Sequence, residues 1–467
     1  MEISEKNIES TITKLGIALL VSGTIPNAVA ETPINQTKIN MTAVIASVCP
    51  QGGNSEAFQT RCNAVVRAAG SPQALVSTVN SNAVVDTDGD GGITPLINSI
   101  NKVAPEQLIV PGVQATRTMT SVASVANAAI TSRLDSLRAA MHSPSTTRLA
   151  NTIQSQPNRL VFAFNPALSG GAAGIADSSR LGIWGNGTYN TGDVNSSINQ
   201  LGFDFDNWGG TLGVDYRVTD DLVAGAAFTY LNTDADLDSS AGNVESDSYT
   251  GTIYATYSHA SGFYIDGAAS YGAIDFDISR RIQYTLPTDV VNTTAKGDPD
   301  GSQYSFGMGI GYQFSVASAT IEPFARADYQ EYEIDSYRET GGQGWGERFS
   351  KQRVRSLPTS VGLRLSNAFS TSWGILQPQV HGAWHHQFKD DSRTITTSFL
   401  GDGATSNRTA TQFSIVTEGP DRDYYTVGAS VNATFANGIS AFVAYNTLLG
   451  YRDVDSHRVT FGGRLEF

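Results

Sequence analysis

From about residue 181 to the end of the chain, apolar residues alternate with small or polar ones in segments of ten or so, each followed by a break. In 304–314 the even positions are Tyr304, Phe306, Met308, Ile310, Tyr312 and Phe314, set against Ser305, Gly307, Gly309, Gly311 and Gln313. Successive side chains of a strand point to opposite faces, so a period of two predicts a strand with one apolar and one polar face. The segment 425–435 repeats the pattern, with Tyr425, Val427, Ala429, Val431, Ala433 and Phe435 opposite Thr426, Gly428, Ser430, Asn432 and Thr434. So does the end of the chain, where Val459, Phe461, Leu465 and Phe467 oppose Arg458, Thr460, Arg464 and Glu466.

A soluble sandwich also alternates, so the position of the charges decides. Asp215, Arg217, Asp266, Arg326, Asp328, Arg364 and Arg464 all fall on the face opposite the apolar residues of their strands. An Arg facing lipid near the bilayer midplane costs about 2–4 kcal/mol, so in a membrane barrel these groups line a polar lumen. Aromatic residues gather toward strand ends, among them Trp208, Tyr216, Tyr230, Tyr257, Phe263, Tyr304 and Phe314, as interfacial girdles require. Tight breaks near 219–221, 259–262, 315–319, 367–373 and 436–438 alternate with long ones at 232–247, 278–301, 333–355 and 389–423. Short turns on one membrane side and long loops on the other are a barrel's arrangement, and a sandwich gives no reason for it. The predicted fold is all-β, an about twelve-stranded transmembrane antiparallel β-barrel from 181 to 467. A small, mainly helical N-terminal segment and a pore or linker helix precede it.

Composition agrees: charged residues are 16% of the chain, which holds 46 Gly, 18 Tyr and 20 Phe. A formal charge of −14 argues against a nucleic-acid partner, which needs a basic face. There is no apolar run of membrane-helix length. Residues 1–30 read as a secretory signal, with Lys14 before the apolar run 15–21 and Ala28-Val29-Ala30 as a cleavage pattern. Glu2, Glu5 and Glu9 are unusual there; a soluble amphipathic helix or an upstream addition to the true start are the alternatives.

Several ordered stretches resemble the autotransporter β-domain family: "FDFDNWGGTLGVDYRVTDDLVAGAAFTY" (203–230), "FYIDGAASYG" (263–272), "SRRIQY" (279–284), "IEPFARADY" (321–329) and the terminal "VTFGGRLEF" (459–467). The resemblance runs from about Gly182 to the end. It implies an outer-membrane barrel of a Gram-negative bacterium, acting as a monomer, that displays its own N-terminal passenger at the cell surface. Outer-membrane lipid, lipopolysaccharide, the barrel-assembly machinery and periplasmic chaperones are its implied partners. Phe461, Leu465 and Phe467 resemble the terminal assembly signal. The resemblance also implies a helix in the pore. Residues 121–141 are a candidate, with Val122, Ile130, Leu134, Leu137 and Met141 near helical spacing; about 21 residues span about 30 Å. A plug nearer Leu181, or an ordinary surface helix at 121–141, are the alternatives.

The expected organisation is therefore signal 1–30, short passenger 31–115, linker 116–180 and barrel 181–467. Cys49 and Cys62 should form a disulfide in an oxidising compartment, worth on the order of 3 kcal/mol. Asp86, Asp88 and Asp90 resemble the start of an EF-hand calcium loop, but Ile97 replaces the twelfth-position glutamate, leaving a weak calcium site or a solvated turn. No esterase, protease or zincin signature is found, and no other cofactor is expected. His381 and His385 share a strand face about 13 Å apart, too far for one metal. Three functions stay open: secretion and display, a pore with the N-terminal segment as plug, and a surface enzyme with an unrecognised site.

Overall fold

The computed structural model describes residues 36–80 and 180–466, apart from 198–200, 317, 404–409 and 436–438, together with the isolated positions 100, 130, 131, 133, 134 and 137. The signal-like 1–30, the acidic run Asp86, Asp88 and Asp90, most of the candidate helix 121–141, and Phe467 lie outside the described residues.

Twelve of the described strands close the barrel. They are β1 (Leu181–Val194), β2 (Phe203–Arg217), β3 (Leu222–Leu237), β4 (Gly242–Ser258), β5 (Phe263–Leu286) and β6 (Asp300–Tyr312), then β7 (Ala319–Ile334), β8 (Pro358–Asn367), β9 (Gly374–Gln387), β10 (Asp423–Phe435), β11 (Ile439–Leu449) and β12 (Val454–Glu466). Each pairs antiparallel with its chain neighbour, and β1 closes the ring on β12, from Gly182↔Glu466 to Val194↔Val454. Closure leaves no unpaired edge, as a backbone surrounded by lipid demands.

The burial is inside out. Leu212, Phe228, Ile253, Phe306, Ile310, Val361, Leu363, Val380, Val443 and Phe461 are exposed, while Thr211, Thr229, Thr252, Thr256, Asp266 and Gln303 are buried. Inward hydroxyls satisfy one another across strands, as in Thr211–Thr229 at 3.0 Å and Thr252–Ser270 at 2.9 Å. On the outward face Tyr189 stands opposite Trp208, Tyr230 opposite Tyr249, and Tyr271 opposite Tyr304, an aromatic girdle across consecutive strands.

Beyond that girdle the structure corrects the four long loops. Within 232–247, β3 and β4 simply continue: Thr233, Ala235 and Leu237 stay buried, and the outward positions become Asp234 and Asp236. The alternation never stops; only the outward residues change from apolar to acidic as the strands leave the height of the girdle, which sequence reading took for a break. In 278–301, β5 runs on to Leu286 and turns back through the strand Asp289–Gly297. In 333–355 and 389–423 the short strands Tyr337–Arg338, Glu347–Phe349, Thr394–Phe399 and Gln412–Val416 make a second, four-stranded sheet.

Within the described stretch 36–80 there are three helices before the barrel: α1 (Gln36–Val48), α2 (Glu56–Ala69) and α3 (Pro72–Asn80). The Ser55 side chain caps α2 by accepting from Phe58 N, Glu56 suits the positive end of the helix dipole, and Gly70 ends it at φ +87°. Pro72 opens α3, where a missing N–H is harmless.

Candidate functional site: the occupied lumen and the capped mouth

Among the described residues, two places join the N-terminal part of the chain to the barrel. The first is inside it. Ile130, Leu134 and Leu137 are buried against Trp184, Val223, Ala227, Tyr254 and Ala268, all on inward positions of β1 and β3–β5. Positions 130, 134 and 137 repeat at helical spacing, so one stripe meets the wall. Arg133 lies on that same stripe. Its Nε donates to Asp215 Oδ2 at 2.6 Å and its Nη2 to Asp215 Oδ1 at 2.7 Å, a bidentate pair with both side chains almost fully buried. Tyr254 donates to Asp215 at 3.2 Å and accepts from Trp184 Nε1 at 2.7 Å, fixing the carboxylate from the wall side. A Cβ on Gly182 would sit 2.7 Å from Asp215 Oδ1 and 2.9 Å from Arg133 Nη2, so the pair needs glycine there.

The second place is the mouth at the extended-hairpin end. Here α1–α3 and the strand extensions share a single hydrophobic core, in which Met41, Ile45, Phe58, Cys62 and Leu75 pack with Ile282, Tyr284, Trp345, Phe349, Phe399 and Ile415. Phe58 meets Trp345 edge-on at 5.8 Å and Phe399 at 5.1 Å. Polar contacts fix the register: Asn40 donates to Ser414 O at 3.1 Å, Val416 N to Thr37 Oγ1 at 3.2 Å, and Ser55 N to Gly401 O at 2.9 Å. Arg61 pairs with Asp289 and donates to Gln343. Gly401 makes the approach possible, because a Cβ there would fall 2.2 Å from Phe58 Cβ. The Cys49–Cys62 disulfide, Cα atoms 5.4 Å apart, ties the end of α1 to α2 inside this core.

Under the cap, Arg280 is fully buried and donates to Glu339 through Nε at 3.0 Å and Nη2 at 2.6 Å, with Glu347 Oε1 at 3.7 Å. Glu347 N also donates to Glu339 at 2.9 Å. One cation faces two carboxylates, and Glu339 takes the better hydrogen bonds. Burial therefore pushes Glu347 up to about 8, although Arg280 pulls the other way.

The residues singled out from sequence fall as follows. Arg364 is buried and pairs with Glu322, which also accepts from Tyr264 at 2.7 Å. Arg326 is half-buried and pairs with Asp328 at 2.8 Å. Arg464 is buried on β12, and Arg217 is half-buried at the end of β2. Phe461 and Leu465 are exposed on the opposite face of β12. His381 and His385 lie inward on β9, where His385 meets Thr426 Oγ1 at 2.8 Å. The structure does not join these residues into one site. Sequence reading missed Arg133 and Tyr254, which share the Asp215 carboxylate; the signal available was a lone cation on the apolar stripe of a slim helix.

A closed, inside-out barrel with a segment of its own chain in the lumen is an outer-membrane type of transmembrane β-barrel. The family model for the autotransporter β-domain matches residues 183–446, and the chain belongs to that family. It is 23% identical over 209 residues to the esterase EstA of Pseudomonas aeruginosa, covering 44% of this chain and 31% of that protein. It is 27% identical over 209 residues to outer membrane protein A of Rickettsia conorii, covering 43% and 10%. The chain thus spans a third or less of the length of these curated relatives. Among solved structures it resembles the translocator domain of the autotransporter NalP from Neisseria meningitidis, with a TM-score of 0.47, 16% identity and coverage of 75% and 99%. The β-domain of the Bordetella autotransporter BrkA gives 0.44, 18%, 62% and 100%.

Proposed function

We propose that this barrel sits in the outer membrane, carries its own short N-terminal segment across it, and keeps that segment at the cell surface as a folded cap on its outer hairpins. The role is secretion and retained display, not catalysis. What carries the reading is the single core shared by α1–α3 and the strand extensions at one end, with Ile130, Arg133, Leu134 and Leu137 inside the lumen below. On this reading the chain, held at the mouth by residues 36–80 and in the lumen by Ile130, Arg133, Leu134 and Leu137, threads the barrel. The barrel-assembly machinery would insert it, with Phe461, Leu465 and Phe467 as the terminal signal.

The test is an epitope at the exposed α2–α3 turn, Gly70-Ser71, probed on intact cells with antibody and protease. Surface labelling of a heat-modifiable, membrane-inserted barrel is the expected result. Protection of the epitope until the outer membrane is broken would overturn the reading. The lumenal packing of Ile130, Arg133 and Leu134 keeps a second reading in view, a pore with its own plug. Large, spontaneous ion conductance by the wild-type protein would favour that one.

A further inference from the structure

A line of cations climbs the outside of the outer module along one hairpin. Its base lies at the girdle, where Tyr304 is opposite Glu331 on β7 and Glu331 is opposite Arg355. Arg355 and Arg353 of the short strand Gln352–Ser356, and Lys351 just before it, follow outward, their side chains 51%, 53% and 53% exposed. Carboxylates match them: Glu331 pairs with Arg355 at 3.0 Å, Glu333 with Arg353 and Lys351, and Asp335 with Lys351 at 3.5 Å. Further out the matching stops. Arg338 stands directly opposite Arg348, and both are exposed. Like charges facing across an antiparallel pair repel, so this arrangement costs stability on its own. Lys296 is opposite Thr340, diagonal to Arg338, and Arg281 is opposite Thr294, diagonal to Lys296; both are exposed. Among the described residues, none of Arg281, Lys296, Arg338 and Arg348 has a carboxylate within 4.0 Å. In a chain of net charge −14, four unmatched cations on adjoining strands make a local positive field on an otherwise acidic protein.

We propose that this face binds the phosphorylated, carboxylated inner sugars of lipopolysaccharide. The proposal rests on the outward orientation argued above. An anionic saccharide anchored by acyl chains starts at girdle height and rises along the barrel wall, which is the course the cations follow. Its lower charges meet Arg355 and Arg353, where they compete with Glu331 and Glu333. Its upper charges meet the four cations that no carboxylate neutralises, and they remove the Arg338–Arg348 repulsion.

The experiment uses the full chain in detergent, with purified lipopolysaccharide and the same material dephosphorylated as probes, read by native mass spectrometry. The wild type should retain phosphorylated lipopolysaccharide and lose it as salt rises, because exposed charge contacts are screened. The variant R281Q/K296Q/R338Q/R348Q should bind on the order of tenfold more weakly, since four exposed contacts of about 1.4- to fivefold each multiply. R338Q/R348Q, which relieves a repulsion, should fold as well as wild type and lose a smaller part of the affinity, so misfolding cannot account for the result. Equal affinity of wild type and both variants overturns the proposal. So does tighter binding of a heparin fragment than of lipopolysaccharide, which would make the occupant a polyanion from outside the membrane. Inaccessibility of the cap on intact cells, with lipopolysaccharide binding intact in detergent, would instead overturn the orientation alone.

Discussion

Arg133 and Asp215 face each other inside the barrel in two parallel hydrogen bonds of 2.6 and 2.7 Å, with Tyr254 donating to the same carboxylate. Removing one partner of a buried pair leaves an uncompensated charge and costs about 3–5 kcal/mol in a dry interior; water in a lumen lowers that figure. Asp215→Asn should therefore loosen the lumenal segment while leaving the wall intact. In planar bilayers its open-state conductance should appear several times more often than the wild type's. Exchanging the charges, R133D/D215R, should restore the closed behaviour in part, which a general loss of fold would not.

The two faces of one strand give a second prediction. Ile310 is exposed on β6, whereas Gln313 donates to Glu322 at 2.9 Å on the other face. Ile310→Arg puts a guanidinium into hydrocarbon at about 2–4 kcal/mol, while Gln313→Arg places it beside a carboxylate. The yield of heat-modifiable barrel should fall severalfold for the first and change little for the second. Equal yields would reverse the face assignment.

These same faces were the legible part of the molecule. Tyr304, Phe306, Met308 and Ile310 declare a membrane strand because lipid and lumen demand opposite residues at successive positions. The hairpin 232–247 was not legible, because its outward residues are Asp234 and Asp236, which at the level of hydrophobicity look like loop. Its inward residues, Thr233, Ala235 and Leu237, kept the period. Nor could the cap be read. Helix α1 buries Thr37, Lys38 and Thr42 as well as Met41 and Ile45, so it lacks a clear apolar stripe to announce its partner. Gly401 and Phe58 lie 343 positions apart (401 − 58), and only the fold brings them together.

That contact gives the third prediction. Any side chain at Gly401 must displace Phe58 from Phe399 and Trp345, so Gly401→Val should undock α2 at a cost of about 1–3 kcal/mol, as overpacking generally does. Proteolysis at Arg61 and Arg67 should become faster by about tenfold. Heat modifiability of the barrel should stay as in the wild type, because the girdle and closing seam are untouched.

The disulfide acts on the same cap from within. Replacing Cys49 and Cys62 with Ser releases a loop whose closure is worth on the order of 3 kcal/mol, all of it in the α1–α2 unit. Hydrogen exchange should rise in 36–69 and remain unchanged in β1–β12. A barrel that fails to assemble without the bridge would contradict this, and would mean that the helices fold before insertion.

Glu347 sets the pH response of the cap. Its carboxyl is raised to about 8 by burial, against an ordinary value of 4.5, so between those values the folded state holds a proton that the unfolded state has lost. Stability then falls as pH rises through that window, by at most about 1.4 kcal/mol per unit, and is fully present below the unfolded value. Opening of the four-stranded sheet, measured by hydrogen exchange at 345–349, should be slower at pH 5 than at pH 8 once intrinsic exchange is corrected for. Glu347→Gln keeps the shape and a neutral side chain at every pH, so it should remove most of this slope and make the cap more stable at pH 8. If Glu347→Gln instead loosens the cap at pH 8, the Glu347 carboxylate is charged and needed there, held by Arg280.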